Sequence, residues 1–233
     1  MKISVFAVSA IAVGKHNVKD ERLDQVDKIT RSKKKTYVQL EAVGEEDALL
    51  ADAILVAEGS RADLVLKDLE FVETRFDRAA TEQEKAILNK MKAALEKEQF
   101  VSSVDLDPEE REMIASYGLY TMKPVVVAKN EELENPDEVL ARALSVSGYI
   151  SFFTTGEKET RAWLIKKGIT AWEAAGSIHS DIQRGFIRAE IISFNDFIQA
   201  GGESAAKQQG KMRLEPKEYV MQDADLTNFR FNK

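Results

Sequence analysis

Cysteine is absent from this chain and histidine occurs only twice. The first absence excludes disulfide scaffolds, thiolate metal sites and cysteine nucleophiles, and it fits a reducing compartment. The second excludes a histidine-rich metal centre, so no metal ligands and no catalytic residues are assigned. Long apolar runs are missing too: none approaches the ~18 residues that a membrane-spanning helix needs, and no membrane partner is expected. The stretch Ile3 to Val13 after Met1-Lys2 superficially resembles a secretory leader, but one positive charge precedes it. Its core, Ile3-Ser4-Val5-Phe6-Ala7-Val8, reads as a buried first strand.

What remains is the composition of an ordinary globular protein, 44% hydrophobic and 31% charged. The net charge of −7 is unevenly spread. Residues 1–149 hold 21 Lys/Arg against 29 Asp/Glu, whereas residues 150–233 hold 12 against 11. Attraction to polyanions is therefore expected from the C-terminal part.

Periodicity sets the organisation. Leu23, Val26 and Ile29 place a short amphipathic helix over Asp20 to Thr30, and Thr36 to Leu40 and Ala53 to Val56 read as strands. From 61 to 98 apolar residues recur every three to four positions, and Thr81 with Glu84 marks a helix start, so the stretch breaks into a helical hairpin. Asp107-Pro108-Glu109-Glu110 opens a further helix ending near Gly118, Lys123 to Ala128 is a buried strand, and Asn135-Pro136 opens another helix. The pattern predicts an α+β chain: an α/β part at 1–60 and 121–147, an inserted helical arm at 61–120, and a strand-rich domain at 148–233.

The last of these carries a resemblance. Phe152-Phe153-Thr154-Thr155-Gly156-Glu157-Lys158-Glu159, Arg161-Ala162-Trp163, Ala174-Ala175-Gly176, Ile178-His179-Ser180-Asp181, Arg184-Gly185-Phe186-Ile187-Arg188-Ala189-Glu190 and Tyr219-Val220-Met221-Gln222-Asp223-Ala224-Asp225 follow one another over some eighty residues. They resemble the TGS domain, a ubiquitin-like β-grasp fold, that ends the YchF/Obg-like P-loop ATPases. Asp20-Glu21-Arg22-Leu23-Asp24, Leu66-Lys67-Asp68-Leu69-Glu70 and Lys123-Pro124-Val125 resemble upstream stretches of the same family more weakly. The resemblance implies a degenerate P-loop α/β remnant before the β-grasp domain, ribosome association, a cytoplasmic setting, and in the parent family ATP or GTP with Mg²⁺.

The chemistry of that family needs a glycine loop around the phosphates, a lysine on the β/γ oxygens and a hydroxyl on Mg²⁺. Ser9-Ala10-Ile11-Ala12-Val13-Gly14-Lys15-His16 is the nearest stretch, but Ser9 stands at the first glycine and His16 at the hydroxyl. The stretch fits a deletion of the loop better than a loop. Only Gly14 and Lys15, with Asn130 of the base-recognition segment Asn130-Glu131-Glu132-Leu133, stand as remnants of a nucleotide site. The expectation is thus a binding module without cofactor, acting on the ribosome, RNA or a protein partner. Lys166, Lys167, Arg184 and Arg188 are the surface cations for that role, while Trp163 and Phe186 are assigned to the core. Two rivals stay open: nucleotide binding through an unorthodox loop at Gly14-Lys15, and a homo-oligomeric scaffold built through the arm.

Overall fold

Four consecutive buried residues, Ile3 to Phe6, make β1 (Lys2–Phe6) an inner strand with both faces covered; three are apolar and the fourth, Ser4, donates its hydroxyl to the Gly44 carbonyl. In the computed structural model, which describes residues 1–232, β1 pairs in parallel with β4 (Val38–Val43) and with β5 (Ala53–Ala57). β5 pairs in parallel with β6 (Val125–Ala128), and β2 (Gly14–Val18) completes a five-stranded sheet in the order β2-β4-β1-β5-β6. The first strand is therefore central, and the last strand returning from the arm lies beside β5 as the apolar runs suggest.

Between β5 and β6 stands the arm. α2 (Arg61–Arg78) and α3 (Glu82–Leu95) separate at Ala79 to Thr81, where the Thr81 hydroxyl accepts a hydrogen bond from the Glu84 amide. The Glu84 carboxylate does not close the box onto Thr81; it accepts from Arg75, from the Tyr117 hydroxyl and from the Ala80 amide. α4 (Pro108–Ile114) does form the complete box between Asp107 and Glu110, and it stops at Ile114, short of Gly118. Val65, Val72, Ile87, Leu88, Met91 and Leu95 share one core with residues that follow α3, so the arm has its own packed interior. After β6 come α5 (Asn130–Leu133) and α6 (Pro136–Val146).

The chain divides into two compact units, one of residues 1–16 and 40–147, the other of residues 17–39 and 148–233. In the second unit β7 (Tyr149–Thr154) and β8 (Thr160–Lys166) form a hairpin, followed by α7 (Ala171–Ile178) and α8 (Ser180–Arg184). β9 (Phe186–Ile192), α9 (Phe194–Ala200), α10 (Glu203–Gln208) and β10 (Arg213–Glu215) lead to β11 (Leu226–Phe231), which returns parallel to β7. α7 contributes Ala171, Ala174 and Ala175 to a core with Phe152, Ala189, Ile191 and Phe229, small residues that let the helix lie close to the sheet.

The segment 17–39, expected with the N-terminal strands, folds with the C-terminal residues instead. α1 (Glu21–Thr30) packs on β8 and α9, burying Leu23 and Val26, and β3 (Lys35–Thr36) pairs in parallel with β8. The sheet order becomes β10-β9-β11-β7-β8-β3.

Gly185 marks a close backbone approach at the other side of this sheet. A Cβ there would stand 2.0 Å from the Asn232 carbonyl oxygen, so Gly185→Ala must part the two segments. We expect a loss of about 1–3 kcal/mol in urea unfolding. Tryptophan fluorescence reads it, since Trp163 and Trp172 both lie in this unit; an unchanged midpoint would refute the approach.

Candidate functional site

Two regions decide what the chain can do: the carboxyl ends of the parallel strands in the first unit, and the cations of the second. The topology switches direction at β1, whose neighbours are β4 and β5, and ligands of such sheets bind in the crevice at that point. A crevice of about 310 Å³ lies there, lined by Ala7 to Ala10, Ala57, Asn130, Leu133 and Glu134. Its one charged lining residue is an acid, and no lysine or arginine lines it. Ala7, in the left-handed region at φ 53°, donates its amide to Glu45 Oε1 at 2.9 Å, and Lys67 reaches the other oxygen at 3.6 Å. An internal carboxylate thus takes an amide at the end of β1, where a phosphate would need donors.

Gly14 and Lys15 are not part of this crevice. They open β2 at one edge of the sheet, whereas Asn130 follows β6 at the other, four strand spacings or about 19 Å away. His16 Nε2 lies 2.6 Å from the Ala12 carbonyl oxygen. Of the three sequence-assigned remnants, the structure brings Asn130 alone to the crevice, and the residues present do not fit a nucleoside triphosphate with Mg²⁺.

The four cations assigned in the C-terminal domain fall into two places. Lys166 lies opposite Tyr149 at the start of β7, with Lys167 in the turn that follows. Arg188 lies opposite Arg230 of β11, beyond the other end of β7, and Arg184 ends α8 nearby. Strand rise puts the two pairs on the order of 25 Å apart along the sheet. Arg184 faces Asp181 at 3.1 Å, and Glu190 binds Arg230, while Arg188, the other member of this cross-strand arginine pair, forms no ion pair among the described residues.

The aromatics are structural, as the sequence suggests. Trp163 is stacked on Phe152, carries the Arg161 guanidinium 4.0 Å over its ring and donates its Nε1–H to Thr154, while Phe186 packs on Phe229. The indole is thus engaged by Phe152, Arg161 and Thr154 within the unit.

The signature Asp223-Ala224-Asp225 is likewise consumed within the unit. Asp223 takes Arg22 at 2.6 Å and the Ser151 amide at 3.1 Å, around Ala224 at φ 61°. Asp225 accepts from the Gln222 amide and the Tyr219 hydroxyl; burial pushes its carboxyl up, and burial beside Asp225 pushes the Tyr219 phenol up to about 12. The motifs Asp20 to Asp24 and Tyr219 to Asp225, some two hundred residues apart, meet here.

Sequence reasoning missed the consequence of that meeting. The run Arg31-Ser32-Lys33-Lys34-Lys35 is carried onto the β8 edge by β3. Four cations in five residues were the available signal. With 17–39 included, the second unit holds 19 Lys/Arg against 15 Asp/Glu (+4) and the first 14 against 25 (−11).

This architecture, two sheets of mixed α+β build with a helical arm, is that of a YchF GTPase: a structure of the Schizosaccharomyces pombe YchF GTPase superposes with a TM-score of 0.74 at 21% identity, covering 99% of this chain and 97% of that one. Residues 149–232 match the family model of the YchF GTPase C-terminal domain, described as a protein of unknown function (DUF933). Over 235 residues the chain is 33% identical to the ribosome-binding ATPase YchF of Bacillus subtilis (strain 168), and over 102 residues 49% identical to that of Escherichia coli O157:H7. Over these stretches the chain is similar to proteins named YchF.

The chain spans 64% of the Bacillus relative and 28% of the Escherichia relative, which align with 73% and 43% of this chain. In the Bacillus alignment, 73% of 233 residues is about 170, against 235 aligned positions, so about 65 positions of the relative have no counterpart here. Among the described residues no helix is long and apolar enough to cross a membrane.

Proposed function

We propose that this chain binds the ribosome through RNA with its second unit and hydrolyses no nucleotide. The observation that carries this reading is the crevice at the ends of β1 and β5: it is lined by no cation, and its nearest strand-end amide is held by Glu45. Phosphoryl transfer depends on positioned amides, cations and metal acting together. The ribosome enters as partner because the relatives are named for binding it, and it implies a cytoplasmic setting.

The finer architecture follows the same line. Residues 148–233 are read as a TGS-type β-grasp domain, supported by the hairpin β7–β8, the helix α7 laid on it and β11 returning parallel to β7 inside the sheet. The first unit is read as an eroded P-loop-type remnant with its inserted arm, supported by the parallel strands and by the relative's positions that lack a counterpart. Lys166 with Lys167, and Arg184 with Arg188, are then two separate contact points rather than one patch.

Titration with labelled ATP and GTP in Mg²⁺ tests the catalytic half. No saturable binding is expected up to millimolar nucleotide, and Lys15→Ala, exposed in β2, should change nothing. The rival, nucleotide held around Gly14-Lys15, requires micromolar affinity that this substitution abolishes. Co-sedimentation with purified ribosomes tests the other half. The full chain should pellet with them, less so as salt rises.

A further inference from the structure

The β8 edge of the second unit assembles cations from distant parts of the sequence. Lys33 donates its amide to the Glu157 carbonyl at 3.1 Å, and the Thr160 amide donates to the Lys34 carbonyl at 2.9 Å. Ser32 Oγ donates to the Gly156 carbonyl at 2.6 Å and lies 2.7 Å from the hydroxyl of Thr160, which is fully buried. The backbone under the run Arg31 to Lys35 is therefore fixed, and its charges stand at set positions.

Two of these charges are compensated, Lys34 by Glu159 at 3.4 Å and Lys35 by Asp24 at 2.6 Å. Arg31 and Lys33 are exposed and form no ion pair among the described residues. Arg161, across the strand pair from Thr36, is held by stacking on Trp163, and its buried Nε has no hydrogen-bond partner. Edge lysines also guard a sheet against pairing with another chain. β3 is only two residues long, however, and presents little edge to guard.

We propose that Arg31, Lys33 and Arg161 on the β3–β8 edge contact the phosphate backbone of structured RNA. This rests on the ribosome-binding reading above and names the surface that carries it. A contact made to phosphate is electrostatic and indifferent to base identity.

The test uses the full chain, purified ribosomes and ribosomal RNA stripped of protein. Arg31→Glu/Lys33→Glu should weaken binding to both at least tenfold near 100 mM salt. It should also flatten the slope of log affinity against log salt by about 1.4–1.8, two lost contacts at ~0.7–0.9 each. Arg31→Gln/Lys33→Gln should flatten the slope likewise with a smaller loss, and an unchanged tryptophan-monitored melting curve shows that neither variant is unfolded.

Variant binding within twofold of the unaltered protein overturns this surface and leaves the ribosome-binding reading standing. Binding of the unaltered protein to ribosomes but not to stripped RNA overturns RNA as the partner in favour of ribosomal protein. Failure of the unaltered protein to bind either overturns both.

Discussion

Leu23→Ala is expected to lower the melting temperature followed by tryptophan fluorescence by about 12–24 °C. Leu23 lies on α1, fully buried against a domain that begins 125 residues later in sequence. Emptying such a site costs roughly 2–5 kcal/mol through lost transfer energy and the cavity left behind. With ~3 kcal/mol and a unit of this size, each kcal/mol moves the midpoint by about 4–8 °C.

The tryptophans make the experiment specific, because both belong to the second unit and neither to the first. Arg22→Ala, by contrast, removes an ion pair to Asp223 whose side chains are 36% and 46% exposed, and should cost no more than about 1 kcal/mol. A shift under ~4 °C for Leu23→Ala would mean that α1 is not part of the cooperative C-terminal unit. The fragment 148–233 would then be a domain by itself.

That possibility is what the sequence alone suggests, and the reason lies in the kind of signal each element emits. β1 and β5 declare themselves by mainly apolar runs, broken in β1 only by the small Ser4, and α4 by its Asp107-Pro108 start, because burial on both faces and helix capping are local demands on residue type. α1 is also legible as a helix from Leu23 and Val26. Its destination is not, since an amphipathic stripe states that a face is buried but not against what.

β3 is not legible as a strand of its own: Thr36 to Leu40 reads as one strand, whereas the structure divides it at Tyr37, Thr36 pairing with β8 and β4 pairing with β1. Its two residues, Lys35 and Thr36, pair with β8 beside the joined hydroxyls of Ser32, Thr30 and Thr160. The same holds for the sites. Asn130 reaches the crevice because it follows a strand, whereas Gly14-Lys15, set aside as a phosphate loop on its neighbours Ser9 and His16, opens an edge strand. Residue type was visible; the partner was not.

The second large effect concerns the arm, where Asp68→Ala should cost about 3–5 kcal/mol. The Asp68 carboxylate, 1% exposed on α2, accepts from the Tyr120 amide at 2.8 Å, the Thr121 amide at 2.7 Å and the Thr121 hydroxyl at 2.6 Å. Alanine leaves those donors without an acceptor in a site that water does not reach. Far-UV circular dichroism in urea is the measurement, since the arm is helical and contains no tryptophan. A loss below about 1 kcal/mol would show that Tyr120 and Thr121 find other partners.

Acid adds a second readout. Burial raises the Asp68 carboxyl above its ordinary value, outweighing the lowering by its hydrogen bonds to Thr121 and Tyr120. The folded arm therefore holds this proton more tightly than the unfolded chain. The contribution of the group grows as pH falls through the raised value and is complete below the ordinary carboxylate value near ~3.9. As pH falls toward about 4 the stability of the unaltered protein relative to Asp68→Asn should accordingly rise. A carboxylate held by a salt bridge would behave in the opposite sense, so a relative stability that falls on acidification would mean Asp68 is held as a stabilised anion and not, as its burial requires, as a strained one.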